Sequence, residues 1–189
     1  MLTTWSYLLC GALQLNKSKL YSVDFPGPSP IWTSNDMINH ANYLCESYYD
    51  QSGGDELLPG IMNLDVEERC RVLFLDTDRV LLSHGIQQKG EGPILNYGNM
   101  AGLKLWSASW EQLTTMPSKL TAEPTNQESR DRFMRTVTSR GIVKGYEGVR
   151  ISLNKKRFTI RNAVVWNIII GDQHIGQAAT FRESEVKYL

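Results

Sequence analysis

The stretch Arg157 to Phe181, RFTIRNAVVWNIIIGDQHIGQAATF, decides the fold. Two runs rich in β-branched and aromatic residues, Arg157 to Ile170 and His174 to Phe181, are separated by the short polar link Gly171 to Gln173. A connection of this length and polarity is typical of a hairpin. The preceding run, Ile142 to Leu153, alternates apolar and polar residues and is joined to the next run by a second short link. The sequence therefore predicts three antiparallel strands in a meander.

Upstream of these strands, the periodicity indicates short helices preceded by two short strands. Capping-box pairs at Ser109 with Gln112 and at Thr125 with Glu128, together with apolar residues spaced three and four apart, indicate helices. The predicted helices are Asn99 to Trp106, Ser109 to Pro117 and Thr125 to Gly141. Short apolar runs on either side of a turn at Gly90 to Pro93 predict the two strands, Val80 to Leu82 and Ile94 to Tyr97.

Two amphipathic helices are predicted nearer the N-terminus, at Ser34 to Asp50 and Asp65 to Phe74. The run FPGPSP at Phe25 to Pro30 is typical of a linker. The element order predicts an α+β fold, a PAS-like five-stranded antiparallel sheet with short helices packed on one face, plus an N-terminal helical appendage. The predicted division is residues 1–30 as an arm and linker, 31–75 as the helical appendage and 76–189 as the PAS-like core.

The composition is that of a globular protein without a general affinity for polyanions. The 20 basic and 20 acidic residues among 189 cancel to a formal charge of zero, whereas phosphate binding needs a surplus of Lys and Arg, so no nucleic-acid partner is predicted. The apolar run Trp5 to Leu15 is far shorter than the roughly 20 residues of a membrane span and lacks the flanks of a signal peptide. Cys10, Cys45 and Cys70 form no CxxC motif, which favours a reducing compartment and a cytoplasmic location.

Several segments resemble the MEKHLA domain family, whose members are PAS-like modules. The most specific are SRGIVKGYEGVRIS at Ser139 to Ser152, RFTIRNAVVWN at Arg157 to Asn167 and GQAATF at Gly176 to Phe181, and the resemblance extends over roughly residues 31–181. It is close to the stand-alone members of photosynthetic organisms, and the MEKHLA hexapeptide of the plant transcription factors is not in the sequence. The resemblance implies a PAS-like fold and a sensory or regulatory role, and it carries over no DNA-binding role.

PAS-like folds place their function in the cavity between sheet and helices, so polar residues predicted near that cavity are ligand candidates. Arg150 shares a strand face with Ser152, and Arg161 and Gln177 lie on the neighbouring strands, an arrangement suited to an anion or carbonyl ligand. The alternative for the two arginines is a solvated sheet face or a surface pair with Glu147.

Other candidates have structural alternatives of the same kind. Trp166 and Asn167 face opposite sides of their strand, so Trp166 is either a core aromatic or a stacking wall for a flat ligand. An Asn where the second strand leads into the first short helix either caps that helix or contacts a ligand. The complete set of predicted ligand-pocket residues is Asn96, Tyr97, Asn99, Trp106, Arg150, Arg161, Trp166 and Gln177.

The cofactor of such a pocket is unknown, but two types lack their anchoring residues. In flavin photosensors of this fold a cysteine lies in an Asn-Cys-Arg motif, and the corresponding stretch Ala122 to Arg130, AEPTNQESR, has none. Haem-binding PAS domains use an axial histidine on the long helix, and Thr125 to Arg140 has none. His40, His84 and His174 are scattered, so no metal site is predicted.

Two functions remain open at the level of sequence. The first is a non-catalytic sensory or regulatory module with a small ligand in a cavity under Cys70 to Trp110, which requires about 300 Å³ or more. The second is a ligand-free protein–protein interaction module that dimerises or binds a partner protein through an exposed sheet face or the helix Ser34 to Asp50. No GxSxG, P-loop or HExxH motif is present, so no enzyme is predicted. A hydrolase or isomerase would need a close acid, base or nucleophile pair in the cavity.

Overall fold

The computed structural model describes residues 30–86 and 92–189. The predicted N-terminal arm and most of the Phe25 to Pro30 linker lie outside these ranges, as do Gly90 and Glu91 of the predicted turn. Ile31–Leu189 forms one compact unit.

The described residues form five α-helices and six strands. The helices are α1 (Asn35–Ser52), α2 (Val66–Leu75), α3 (Met100–Trp106), α4 (Trp110–Thr114) and α5 (Pro124–Arg140). The strands are β1 (Arg79–Gly85), β2 (Leu95–Gly98), β3 (Ile142–Ile151), β4 (Arg157–Ile170), β5 (Gln173–Arg182) and β6 (Val186–Tyr188). A 3-10 helix, Ser118–Thr121, precedes α5.

The strands form one antiparallel sheet in the order β2-β1-β5-β4-β3. The predicted meander of β3, β4 and β5 is confirmed. The expectation of five strands is short by one, because β6 pairs with the first residues of β4 through Phe158, Thr159 and Ile160. A strand of three residues is too short to show an alternating pattern, so it could not be predicted from the sequence.

A bulge in β4 determines which side chains face which side of the sheet. Between the pairs Tyr146–Ala163 and Gly148–Ile160, β4 has one residue more than β3. Asn162 lies there with a φ of +50°, a left-handed conformation that Asn tolerates better than most residues. Without the bulge, every second side chain of β4 would face the same side of the sheet along its whole length. Because of the extra residue, the side chains after the bulge lie on the opposite face from the one that this alternation would give them.

The sheet separates two apolar clusters. On one face, side chains of α3 and α4 pack with Val80, Leu82, Phe158 and Ile160. On the other face, α1 and α2 pack over Leu81, Trp166 and Ile168. β1 alternates between the two faces, as a strand covered on both sides should.

The N-terminal helices are therefore part of the core. Ala41, Leu44 and Tyr48 of α1 are buried against the sheet, and the rings of Tyr48 and Trp166 meet edge to face with centroids 5.0 Å apart. Residues 31–75 and 76–189 lie in the same compact unit, and the two helices cover strand side chains that would otherwise expose a large apolar surface. The apolar face of α1, one of the two surfaces suggested for dimerisation, is thus covered within the chain.

Helix boundaries follow the capping residues with one exception. Asn99 caps α3 by accepting from the Gly102 amide at 3.0 Å, and the capping box of Ser109 and Gln112 is present at α4. The predicted box at Thr125 is wrong, because α5 already begins at Pro124, after Glu123. Proline suits the first position of a helix, where its fixed φ fits and no amide hydrogen is needed.

Candidate functional site

A cavity of about 70 Å³ lies between the sheet and α5. Its helical wall comes from Arg130, Phe133 and Met134 of α5 with Ser118 and Thr121 of the preceding 3-10 helix. The sheet contributes mostly apolar side chains of β1, β3, β4 and β5, among them Leu82, Tyr146, Ile160, Val165 and Phe181. The volume of the cavity is smaller than the roughly 300 Å³ that was expected of a ligand pocket. It also lies under α5 instead of under Cys70 to Trp110, although Trp106 forms part of its wall.

Arg130 projects from α5 into this cavity and is 8% exposed. Its Nη2 donates to Ser118 Oγ at 3.1 Å, and its Nη1 donates to Asp131 Oδ1 at 3.2 Å. The Asp131 side chain is 52% exposed, so the ion pair is at the rim. Burial, and next the charge of Arg150, lower the pKa of Arg130 from its ordinary value.

Arg150 reaches the same cavity from β3 and is also 8% exposed. Its Nη2 donates to the Tyr146 hydroxyl at 2.7 Å and its Nη1 donates to the Val149 carbonyl at 2.8 Å. The guanidinium carbon lies 5.2 Å from the centroid of the Tyr146 ring. The alternative of a solvated face is therefore wrong for Arg150, because the helical layer covers this part of β3.

Two buried polar atoms at the cavity have no hydrogen-bond partner among the described residues. They are Nε1 of Trp106 and Nε2 of His84. The other ring nitrogen of His84, Nδ1, is 2.8 Å from the Gly85 carbonyl. Burial lowers the pKa of His84 to about 4, so the ring is neutral at pH 7. With Nδ1 donating to the carbonyl, Nε2 of the neutral ring is an acceptor.

Gln177 lines the cavity, but its amide group holds α5 to the sheet. Its Nε2 lies within 3.2 Å of the Met134 carbonyl, the Thr138 hydroxyl and Asn167 Oδ1. Asn167 in turn donates to the Thr138 carbonyl. This network fixes the helix that carries Arg130, so Gln177 positions the wall of the cavity.

The remaining predicted pocket residues lie elsewhere. Tyr97 and Trp166 belong to the apolar cluster on the α1 side of the sheet. Asn99 is buried in its capping role and also bonds to the backbone of β1. Asn96 is exposed and accepts from the Ser83 hydroxyl at 2.7 Å, and Arg161 is exposed on β4. Of the eight predicted residues, the structure brings Trp106, Arg150 and Gln177 together.

Arg130, which lines the same cavity as Arg150, was not among the predicted residues. A signal for it was present, since Arg130 precedes Phe133 by three residues and Met134 by four. Residues at those spacings share a helix face, and a face that carries Phe and Met is expected to point into the core. A charged residue on a buried helix face is uncommon, which would have been a reason to select it.

A wider cleft of about 500 Å³ adjoins the cavity and opens toward solvent. The two share four lining residues, His84, Arg130, Met134 and Gln177. The cleft adds the charged side chains of Lys119, Asp131 and Arg135 and the ring of His174. Three cations and one carboxylate therefore line its described part.

A serine and a histidine are in contact, but on the other side of the sheet. Ser83 Oγ lies 2.8 Å from His40 Nε2, and the Ser83 hydroxyl donates to Asn96 Oδ1. Ser83 is among the residues that line the cavity, but its hydroxyl is engaged with His40 of α1 and with Asn96. Within residues 30–86 and 92–189, no three His, Cys, Asp or Glu side chains are grouped as metal ligands, and no helix is long and apolar enough to cross a bilayer.

Comparison with known proteins agrees with this architecture. A PAS domain from Colwellia psychrerythraea superimposes with a TM-score of 0.53 at 13% identity, covering 62% of this chain and 95% of that domain. An RNA-binding light-oxygen-voltage receptor gives a TM-score of 0.50 at 13% identity, over 68% of this chain and 34% of the receptor. At such identities the similarity shows the fold alone, which is PAS-like. No curated protein matches the chain. The MEKHLA domain model matches residues 38–186, most of the sequence, and the chain therefore belongs to the MEKHLA domain family.

Proposed function

We propose that this chain is a non-catalytic sensory or regulatory module that binds a small ligand between the sheet and α5. The observation that carries the proposal is the convergence of buried polar groups from three walls on one mostly apolar cavity. Arg130, Arg150 and Trp106 come from α5, β3 and α3, and the Trp106 indole N–H has no partner among the described residues. Apolar pockets with a few convergent polar groups are typical of small-molecule sites.

The volume available to a ligand is set by the cavity and the cleft together. The cavity alone, at about 70 Å³, is below the usual range of ligand sites, whereas the cleft of about 500 Å³ lies within it. Since the two share the Met134 side chain, a flexible thioether, a ligand that enters the cleft can extend one group into the cavity.

The location of the module is proposed to be cytoplasmic. Cys45 and Cys70 are both free and buried, and burial raises the pKa of the Cys45 thiol to about 12. Thiols of this kind are stable in a reducing compartment and are poor nucleophiles.

The test is native mass spectrometry of the protein purified from its own cells, before and after unfolding. A stoichiometric small molecule released on unfolding is expected. Ala163 is fully buried and lines the cavity, so Ala163→Leu fills it and should abolish retention. If Ala163→Leu fails to fold, Met134→Phe is the second variant. Met134 is half-buried on α5 and lines both the cavity and the cleft, so a phenylalanine there narrows the opening between them. Full retention of the molecule in folded filled variants would place it outside the cavity and contradict the proposal.

A further inference from the structure

We propose that the ligand is a small organic carboxylate, with its carboxylate group between Arg130 and Arg150 and the rest of the molecule in the adjoining cleft. This inference rests on the proposed function, because it names the class of ligand for the same cavity.

The charge of the cavity favours an anion. Two guanidinium groups line it from opposite walls, and none of its described lining residues is Asp or Glu. Arg130 and Arg150 are each 8% exposed, so both charges have lost most of their hydration. Two like charges in such surroundings repel each other, and an uncompensated buried charge is costly. Arg130 has Asp131 as a partner at the rim, whereas no acidic side chain among the described residues lines the cavity beside Arg150. An anion between the two arginines removes the repulsion and supplies Arg150 with a counter-charge.

The balance of hydrogen-bond donors and acceptors in the cavity favours a carboxylate. A guanidinium has five N–H groups, and the bonds of Arg130 and of Arg150 to protein acceptors occupy two on each side chain. The Trp106 indole adds an N–H without a partner among the described residues. His84 Nε2 is the one unpartnered acceptor among the described lining residues, so the cavity presents a surplus of donors. A carboxylate has only acceptors, and its planar shape matches the fork of a guanidinium.

The sizes of the cavity and the cleft favour a ligand that occupies both. A cavity of about 70 Å³ holds a few water-sized molecules, which is also the scale of a carboxylate group, so a larger body must lie in the cleft. The cleft carries Lys119 and Arg135 in addition to Arg130, against the carboxylate of Asp131. This positive balance attracts anions toward the cavity and raises their rate of entry.

The experiment measures binding to the purified full chain by calorimetry and by thermal shift. The probes are sodium acetate and sodium succinate, compared with sodium chloride and sodium phosphate at equal ionic strength. Saturable binding of a carboxylate with a rise in melting temperature is expected, and chloride should give neither. An equal response to chloride or phosphate would contradict a carboxylate site and indicate nonspecific anion binding.

Three variants separate the cavity from the rest of the surface. Arg150→Gln should weaken binding of the carboxylate by about 10- to 100-fold, the usual range for a lost hydrogen bond to a charged group. Trp106→Phe keeps the ring and removes the N–H, so it tests the same site if Arg150→Gln fails to fold. Arg132→Gln is the matched control, because Arg132 lies on α5 with an exposed side chain outside the cavity. A loss of binding in Arg132→Gln equal to that in Arg150→Gln would overturn the assignment.

The carboxylate proposal and the proposed function fail in different ways. A neutral molecule that co-purifies, is lost in Ala163→Leu and is kept in Arg150→Gln would overturn the carboxylate while leaving the ligand-binding module intact. If no molecule co-purifies and no probe gives a response, the result counts against both the carboxylate proposal and the proposed function.

Discussion

Acidification from pH 7.5 to 5 should destabilise the fold through two histidines held neutral by burial. Burial lowers the pKa of His40, which contacts Ser83 beneath α1, from 6.5 to about 4. His84, at the cavity, is lowered to the same value, with the charge of Arg130 and of His174 adding to the effect of burial. Because the folded pKa lies below the unfolded one, the stability is fully present above about pH 6.5 and is lost as the pH falls toward 4.

The magnitude follows from the two pKa values of each ring. A difference of about 2.5 pH units gives about 2 kcal/mol of lost stability per histidine at pH 5, or about 4 kcal/mol for both. This is a large part of the 5 to 15 kcal/mol typical of a domain. Most carboxylates titrate below pH 4.5, so the range from 5 to 7.5 isolates the histidines.

The assay is urea unfolding at several pH values between 5 and 7.5 for the natural chain and for His40→Gln, His84→Gln and the double variant. Each single substitution should remove about half of the pH dependence, and the double variant should be nearly flat. Stability of the natural chain that changes by less than about 0.5 kcal/mol over this range would refute the buried, neutral state of the two rings. An undiminished slope in the double variant would assign the effect to other groups.

Three further predictions concern residues that the sequence had singled out for the pocket. Trp166→Ala should cost about 3 to 5 kcal/mol in urea unfolding because the ring is fully buried against Tyr48, and an unchanged midpoint would contradict that burial. Asn99→Ala should cost about 2 kcal/mol, measured in the same way, since Asn99 both caps α3 and accepts from the Leu81 amide; a loss below 0.5 kcal/mol would show that these bonds contribute little. Arg161→Ala, at an exposed position of β4, should leave the melting temperature and the retained ligand unchanged, and loss of the ligand would bring Arg161 back into the site.

Local sequence signals were sufficient for most of the secondary structure. The hairpin links on either side of β4 and the cap residues Asn99 and Ser109 act over a few residues, so their effect can be seen in the sequence. The same holds for the α+β order, which depends on strand and helix periodicity. Thr125 is the exception, because Pro124 made the helix begin earlier than the capping box indicated.

The candidate site depended on contacts that sequence patterns do not report. Simple alternation along β4 would have placed Trp166 on the same face as Phe158 and Ile160. The bulge at Asn162 turns it to the α1 side instead, where Tyr48 packs on it. A single extra residue in one strand leaves no clear mark on the periodicity, yet it reverses every side chain that follows.

The sequence by itself determined that this chain forms a PAS-like sheet with capped helices, because those features arise from residues close together along the chain. Tertiary structure decided that α1 and α2 cover the second face of the sheet and that α5 lies over Arg150. It also brought Arg130 and Arg150, on different elements, to one cavity. The physical reason is that burial and charge pairing depend on which surfaces meet in space, whereas periodicity fixes only which side chains share a surface.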